Sequence, residues 1–150
     1  MSIDSDAHVL SALPVFNLLE WEAIRLLAFH ASKKSYKSDD ILFSPGQKAA
    51  GGLVLLSGSI ELIPDGVEAI STYKQANKVL GHGALIGQLA LITEVTHRVT
   101  AQARENSTMI EVSRTSFQRI LREYPDCTAR IRSAIARDLL EFTSTLSGVR

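Results

Sequence analysis

The residues best suited to chemistry lie in one stretch, GHGALIGQLALITEVTHRVTA at residues 81–101. Gly87 precedes a short apolar run, and a glycine lets backbone and ligand approach each other closely. If a short helix begins there, the amides of Leu89 and Ala90 lack intrahelical partners and can point at an anion. In the polar loop that follows, Arg98 carries a planar fork of N–H donors suited to phosphate oxygens. The pattern indicates a small-anion site; the alternative is a core turn followed by a surface arginine.

Two familiar phosphate-binding motifs do not fit this stretch. A dinucleotide fingerprint has the spacing G-x-G-x-x-G at the start of a long helix in a βαβ unit. The third glycine here comes one residue too late for that spacing. A P-loop requires Gly-Lys-Ser/Thr after its glycines, and no such sequence follows. Any anion site must therefore be of another kind.

The composition is that of an ordinary soluble globular domain. Of 150 residues, 45% are hydrophobic, and 16 basic residues balance 16 acidic ones, so no broad attraction to nucleic acid or acidic membranes is expected. No apolar run approaches the roughly 20 residues of a membrane-spanning helix, and the acidic N-terminus lacks the apolar segment of a signal peptide. The single cysteine, Cys127, excludes an intramolecular disulfide and a thiolate cluster for zinc. We expect one cytoplasmic domain over residues 1–150 with a core at about 12–140, and no nucleic-acid or membrane partner.

The periodicity of apolar residues changes twice along the chain. Helical spacing over residues 18–30 predicts a helix. The middle of the chain alternates short apolar runs with Gly, Pro, Ser and Asp, which is typical of short strands joined by tight turns. The pattern there predicts a Pro-Asp-Gly turn at 64–66 with a return strand, and strands at 78–80, 98–104 and 107–112. Ser113 is expected to cap a following helix, and Pro125 separates it from a longer one at about 127–146.

Several spaced motifs resemble the cyclic-nucleotide-binding domain family, which includes bacterial cyclic AMP receptor proteins, protein kinase A regulatory subunits and cyclic-nucleotide-gated channels. The segment IGQLALITEVTHRVTA resembles its phosphate-binding cassette. Upstream, ILFSPGQKAAGGLVLLSGSIEL and KVLGHGALIG are similar to its strand signature and cassette entry, and downstream IEVSRTSFQRILREYP resembles its hinge strand and helix. The resemblance covers about residues 12–140. It implies an α+β fold, an antiparallel, jelly-roll-like β-roll with N-terminal helices, a short cassette helix and two C-terminal helices.

The resemblance also implies roles for the residues of the cassette. Arg98 would bind the cyclic phosphate together with the amides of Leu89 and Ala90. Gly87 would lie against the ribose phosphate. Residue 88 would meet the ribose 2′-hydroxyl, and the final helix would approach the base. The expected ligand is thus cyclic AMP or cyclic GMP, with no cofactor and no metal.

Two positions depart from the family pattern in ways that bear on the ligand. Gln88 stands where the family usually has glutamate, so a neutral amide oxygen replaces a charged acceptor. Val99 replaces the small or small polar residue expected after the arginine and removes a hydroxyl contact. Other departures, such as Gly52, indicate repacking. With Gln88 and Val99 at these positions, the specificity for a cyclic nucleotide could be weaker, altered or lost.

No arrangement typical of a catalytic or metal site is found in the sequence. The four histidines share no metal-ligand spacing, and no G-x-S-x-G elbow occurs, so we expect no enzyme activity. His97 lies in the cassette loop, where we expect a solvated ring that can nevertheless reach the phosphate. Only about ten residues follow Leu139, so we expect neither a DNA-binding nor a catalytic domain.

Three hypotheses remain for the function. The first is a stand-alone regulatory domain that binds a cyclic nucleotide. The others are a degenerate domain acting as a protein interaction module, and a sensor of another small anion. The apolar stripe from Ile131 to Leu146 on the last helix favours a homodimer, or closure of that helix over the pocket. A separate effector protein is the other expected partner.

Overall fold

The computed structural model describes residues 3–64 and 78–148. Its α-helices are α1 (Ile3–Ser11), α2 (Trp21–His30), α3 (Arg114–Glu123) and α4 (Pro125–Gly148). Its strands are β1 (Ser32–Tyr36), β2 (Ile41–Phe43), β3 (Gly51–Ser57), β4 (Ile60–Pro64), β5 (Lys78–Leu80), β6 (Leu85–Ile86), β7 (Val99–Ala103) and β8 (Ser107–Ser113). A 3₁₀ helix over Gln88–Leu91, the cassette turn, lies between β6 and β7.

The strands form two antiparallel sheets of four strands each. One sheet has the order β1-β8-β3-β6 and the other β2-β7-β4-β5. Their inner faces share one apolar cluster, the interior cluster, to which both sheets contribute buried side chains. Its buried members are Phe43, Leu53, Leu55, Ile60, Ile86, Ala101, Ala103 and Met109. The predicted α+β class and the antiparallel β-roll with flanking helices are confirmed.

The helices cover the outer face of the first sheet. Val54, Ile110 and Val112 project from that face into a second cluster with residues of all four α-helices. The cassette turn joins this cluster through Leu91, which is fully buried. The turn is thus fixed between the sheet and the helices, and its position depends on both.

Most element boundaries follow the sequence pattern. Helix α2 begins at Trp21, three residues later than predicted, and strands β5, β7 and β8 lie within a residue of their predicted bounds. Ser113 caps α3 as expected, since its hydroxyl accepts a hydrogen bond from the amide of Ser116 at 3.1 Å. The return strand expected after the Pro-Asp-Gly turn lies outside the described residues.

Two features at the chain ends differ from the sequence prediction. N-terminal helices were expected, but none was assigned to residues 3–11; Ala7 and Leu10 on α1 are fully buried, so packing begins before residue 12. The last helix begins at Pro125, because proline is well suited to the first turn of a helix, where its missing N–H removes no hydrogen bond. Cys127 on this helix is buried among apolar residues.

Candidate functional site

The cassette turn starts with a residue in the left-handed region. Gly87 has φ +80° and ψ +38°, and the 3₁₀ helix follows from Gln88. Only glycine adopts this conformation without steric cost. A Cβ on Gly87 would also lie 3.3 Å from the carbonyl oxygen of Gly51 on β3. The backbone conformation and the close packing therefore both require glycine where the strand ends and the turn begins.

The turn leaves fewer free amides than the sequence suggested. The amide of Ala90 donates to the carbonyl of Gly87 at 3.0 Å, as expected for a 3₁₀ helix, which closes i to i+3 hydrogen bonds. The expectation that Ala90 lacks an intrahelical partner is therefore wrong for this conformation. An anion that uses the Ala90 amide must replace this bond.

The turn is seated on two consecutive glycines of strand β3. A Cβ on Gly52 would lie 3.1 Å from Leu85 Cδ1 and 3.4 Å from Leu91 Cγ. Gly51 is enclosed more tightly still, because a Cβ there would overlap the backbone of Val112 and Ser113 on β8. Gly52, which looked like simple repacking in the sequence, therefore makes room for the cassette turn, and Gly51 makes room for strand β8.

An arginine that sequence reasoning missed holds the far end of the turn. Arg114, the first residue of α3, donates from Nη1 to the carbonyls of Thr93 at 3.0 Å, Ala90 at 3.2 Å and Ala49 at 3.3 Å. A cation at the carbonyl end of a helical turn is favourable electrostatically as well as through its hydrogen bonds. Arg114 thus joins the cassette turn, the loop before β3 and the start of α3.

The loop after the turn returns along the segment that precedes β3. The amide of Ala49 donates to the carbonyl of Val95 at 3.0 Å, and the amide of His97 donates to the carbonyl of Gln47 at 2.8 Å. In return, the amide of Gly46 donates to the carbonyl of His97 at 2.9 Å. These bonds and an isolated bridge between Lys48 and Thr96 pair residues 95–97 with residues 46–49, just before strand β7 begins.

Arg98 and Val99 are neighbours and face opposite sides of this strand. Val99 packs against the interior cluster, to which Ala101 and Ala103 on the same face belong. Arg98 is exposed and lines a cavity of about 420 Å³ on the other side, together with Lys48 and Arg114. The remaining lining residues are Ala49, Glu94, Val95 and Thr96. This is the outer cavity, and three of its lining residues are cationic.

His97, next to Arg98 in sequence, contacts the interior cluster rather than the outer cavity. Its ring is partly buried and stacks on Phe43, with centroids 3.5 Å apart and an interplanar angle of 9°. Phe43 belongs to the interior cluster. Burial lowers the pKa of His97 from its ordinary value of 6.5. The expectation of a solvated ring is therefore wrong, because the imidazole is partly buried and stacked on Phe43.

The structure brings the predicted site residues together only in part. Gly87, Gln88, Leu89 and Ala90 form one turn, and Arg114 links that turn to the cavity where Arg98 lies. Of the described residues, those lining this cavity do not include 87–90. Among residues 3–64 and 78–148, no group of three or more His, Cys, Asp or Glu side chains is arranged to hold a metal ion. None of the helices described has the length and hydropathy needed to span a membrane.

Comparison with known proteins agrees with this geometry. The sequence model of the cyclic nucleotide-binding domain matches residues 33–124. A solved cyclic nucleotide-binding-like protein from Brucella abortus bv. 1 str. 9-941 is 31% identical, with a TM-score of 0.68, over 79% of this chain and 99% of that one. The cAMP-bound PfPKA-R shares the fold, with a TM-score of 0.73 at 18% identity over 98% of this chain and 47% of that one. Lysophospholipase NTE1 of Chaetomium globosum is 26% identical over 113 residues, or 73% of this chain, and the chain spans 7% of its length.

Proposed function

The chain belongs to the cyclic nucleotide-binding domain family, and from that premise we propose that it is a regulatory sensor whose ligand is cyclic AMP or cyclic GMP. The cassette turn is the observation that carries the proposal. It opens on a left-handed Gly87 and is fixed at its far end by Arg114. A solved protein of the same fold is described as cAMP-bound. We infer that the domain regulates rather than catalyses, and its stand-alone action and cytoplasmic location stay predictions.

The cassette turn would bind the cyclic phosphate through its backbone. Gly87 has no side chain to block the approach, and the amide of Leu89 lies at the start of the turn, where helical amides have no carbonyl partner. The Ala90 amide would exchange its bond to the Gly87 carbonyl for one to a phosphate oxygen. A charged acceptor forms the stronger bond, so the exchange is favourable once the phosphate is in place.

Arg98 and Val99, at the start of β7, would contact the ligand from opposite sides. Val99 packs on the interior cluster and would offer the nucleotide an apolar contact there. Arg98 lies at the solvent side and would neutralise the phosphate from the rim. Because a solvent-exposed ion pair contributes only about 0.2–1 kcal/mol, Arg98 is a modest contributor in this arrangement.

Gln88 would set the strength of ribose recognition. Its side-chain oxygen can accept a hydrogen bond from the 2′-hydroxyl, but without the charge of a glutamate. Charge-assisted hydrogen bonds are roughly twice as strong as neutral ones. The native affinity should therefore be modest.

A second candidate is a sensor of another anion or a protein interaction module. The outward direction of Arg98 and the occupied amide of Ala90 favour it. A different anion would be drawn to the outer cavity by Lys48, Arg98 and Arg114 rather than to the cassette turn.

Signalling would pass to a partner through the C-terminal helices. Helix α4 extends over 24 residues, longer than the small β-roll needs for its own cover. We propose that it pairs with its copy in a homodimer or contacts a separate effector protein. Light scattering at micromolar concentration, with and without ligand, tests the dimer, and a monomer under both conditions would refute it.

Isothermal titration of the chain with cyclic AMP, cyclic GMP and cyclic di-GMP tests the proposed ligand. We expect saturable binding of one of the first two, with 1:1 stoichiometry. Absence of binding to all three, in a chain shown to be folded by circular dichroism, would leave the second candidate.

A further inference from the structure

The register of strand β7 decides which side chain near the cassette can meet a ligand from inside the roll. Ala101 and Ala103 are fully buried in the interior cluster, and Val99 packs against it. Side chains alternate between the two faces of a strand. Counting back by two from Val99 places His97 on the interior face and Arg98 on the exterior one.

The surroundings of the two side chains agree with this alternation. Val95, Thr96 and Arg98 all line the outer cavity, whereas His97 does not. His97 instead stacks on Phe43, a member of the interior cluster. The backbone pairing of His97 with Gln47 and Gly46 fixes this orientation. The Arg98 guanidinium therefore points to the outer cavity, and the His97 imidazole points to the interior cluster.

We propose that His97 contacts the anionic group of the ligand from the interior side of the cassette, and that ligand binding therefore takes up a proton. This inference rests on the proposed function, and it makes His97 the group that renders ligand affinity pH-dependent. The ligand phosphodiester stays singly anionic near neutral pH, so the proton goes to the imidazole. An imidazolium has N–H donors at both ring nitrogens and no acceptor, which suits a phosphate oxygen.

The site around His97 supports a protonation change on binding. Without an anion, burial favours the neutral ring and lowers its pKa. A bound anion favours the imidazolium, and the phenyl face of Phe43 stabilises that cation by a cation–π contact at this distance. On the paired segments, the charged side chains described are Lys48, Glu94 and Arg98, and all three line the outer cavity. The titratable side chain described against the interior cluster is that of Tyr36.

The sign of the pH dependence follows from linkage. The pKa of His97 is higher in the bound state than in the free state, so the bound state holds more protons. Affinity therefore rises as the pH falls from the bound-state pKa to the free-state pKa, which lies below 6.5, and is flat outside that window. A difference of one pKa unit between the two states corresponds to about tenfold in affinity.

Isothermal titration of the full chain with cyclic AMP and cyclic GMP, at about pH 5.5 and about pH 8, tests the inference across the titration range of histidine. We expect about tenfold tighter binding at the lower pH, and titrations in two buffers of different ionisation enthalpy should show net proton uptake between these pH values. His97→Gln should bind with the weaker affinity at both, and His97→Arg with the tighter affinity at both. His30→Gln, which removes an exposed histidine at the end of α2, should behave as the wild type.

An NMR measurement on the wild type tests the same inference without depending on whether the variants fold. In the proton NMR spectrum of the wild type, saturating cyclic nucleotide should raise the pKa of one imidazole resonance, while adenosine, which lacks the phosphate, should not. Binding that is equal at both pH values, with no proton uptake and no shifted imidazole, would overturn the role of His97 and leave the proposed function intact. Absence of cyclic nucleotide binding at either pH would overturn the proposed function, and this inference with it.

Discussion

Replacing Arg114 with alanine tests whether the cassette turn depends on the clamp from α3. The guanidinium donates from one nitrogen to three carbonyls, of Ala49, Ala90 and Thr93. Ala49 and Ala90 are buried, whereas Thr93 is exposed. Water can replace the arginine at Thr93, but it reaches the two buried carbonyls less easily.

The expected loss of stability on replacing Arg114 follows from the three carbonyls that its guanidinium bonds. A hydrogen bond to a charged group contributes about 1.5–3 kcal/mol, and the three acceptors share one nitrogen, so their contributions do not add. Because the site is also partly exposed, the total stays near the value of one such bond. We expect Arg114→Ala to reduce the free energy of unfolding by about 1.5–3 kcal/mol, and Arg114→Met, which keeps most of the aliphatic volume, to lose nearly as much.

Urea unfolding followed by the fluorescence of Trp21, the one tryptophan in the sequence, measures this change. Arg119→Ala is the matched control, because Arg119 is an exposed arginine on the same helix. Surface substitutions of this kind usually stay within about 0.5 kcal/mol. If Arg114→Ala unfolds within that margin of Arg119→Ala, the clamp contributes nothing and the argument fails. Hydrogen exchange should also show that the cassette turn loses protection in Arg114→Ala alone.

Three further substitutions test the site. Gly87→Ala should lower the free energy of unfolding by about 1–2 kcal/mol, the cost of a left-handed alanine, while Gly81→Ala, with open space at its Cβ, should be neutral in the same urea titration. Gln88→Glu should tighten cyclic nucleotide binding by roughly three- to tenfold, and equal titration curves would show that residue 88 does not face the ribose. Arg98→Ala should weaken binding by at most about fivefold, and Arg104→Ala, at the other end of strand β7 and paired with Glu61, should leave it unchanged. A loss above tenfold in Arg98→Ala would show that Arg98 turns inward on binding.

Local signals in the sequence were enough for most of the fold. Ser113 was expected to cap a helix and does so with its own hydroxyl. The strand at 78–80 was predicted and is observed over Lys78–Leu80. Such features depend on residue type and on neighbours within a few positions, so a single sequence carries them.

The parts that escaped prediction depend on distant pairing. The three acceptors of Arg114 lie 21 to 65 positions away in sequence, and nothing near Arg114 indicates them. The direction of Arg98 depends on the pairing of residues 95–97 with the segment before β3, because a shift of one residue would turn every side chain to the other face. Sequence reasoning identified the cassette and its arginine, but it could not assign the interior face to His97.

We expect ligand binding to affect the C-terminal helices through the cassette turn. The Ala90 amide must release the Gly87 carbonyl before it can bind a phosphate, and the Ala90 carbonyl is already bonded to Arg114 at the start of α3. The Ala90 N–H and the Ala90 C=O lie in consecutive peptide planes that meet at the Ala90 Cα. A change in the backbone torsions of Ala90 would therefore turn one relative to the other, and an anion at the turn would alter the acceptor that holds α3. A ligand shifts a conformational equilibrium only by its difference in affinity for the two states. In this chain we expect that difference to arise at Ala90, whose N–H would take the ligand bond and whose C=O accepts the hydrogen bond from Arg114.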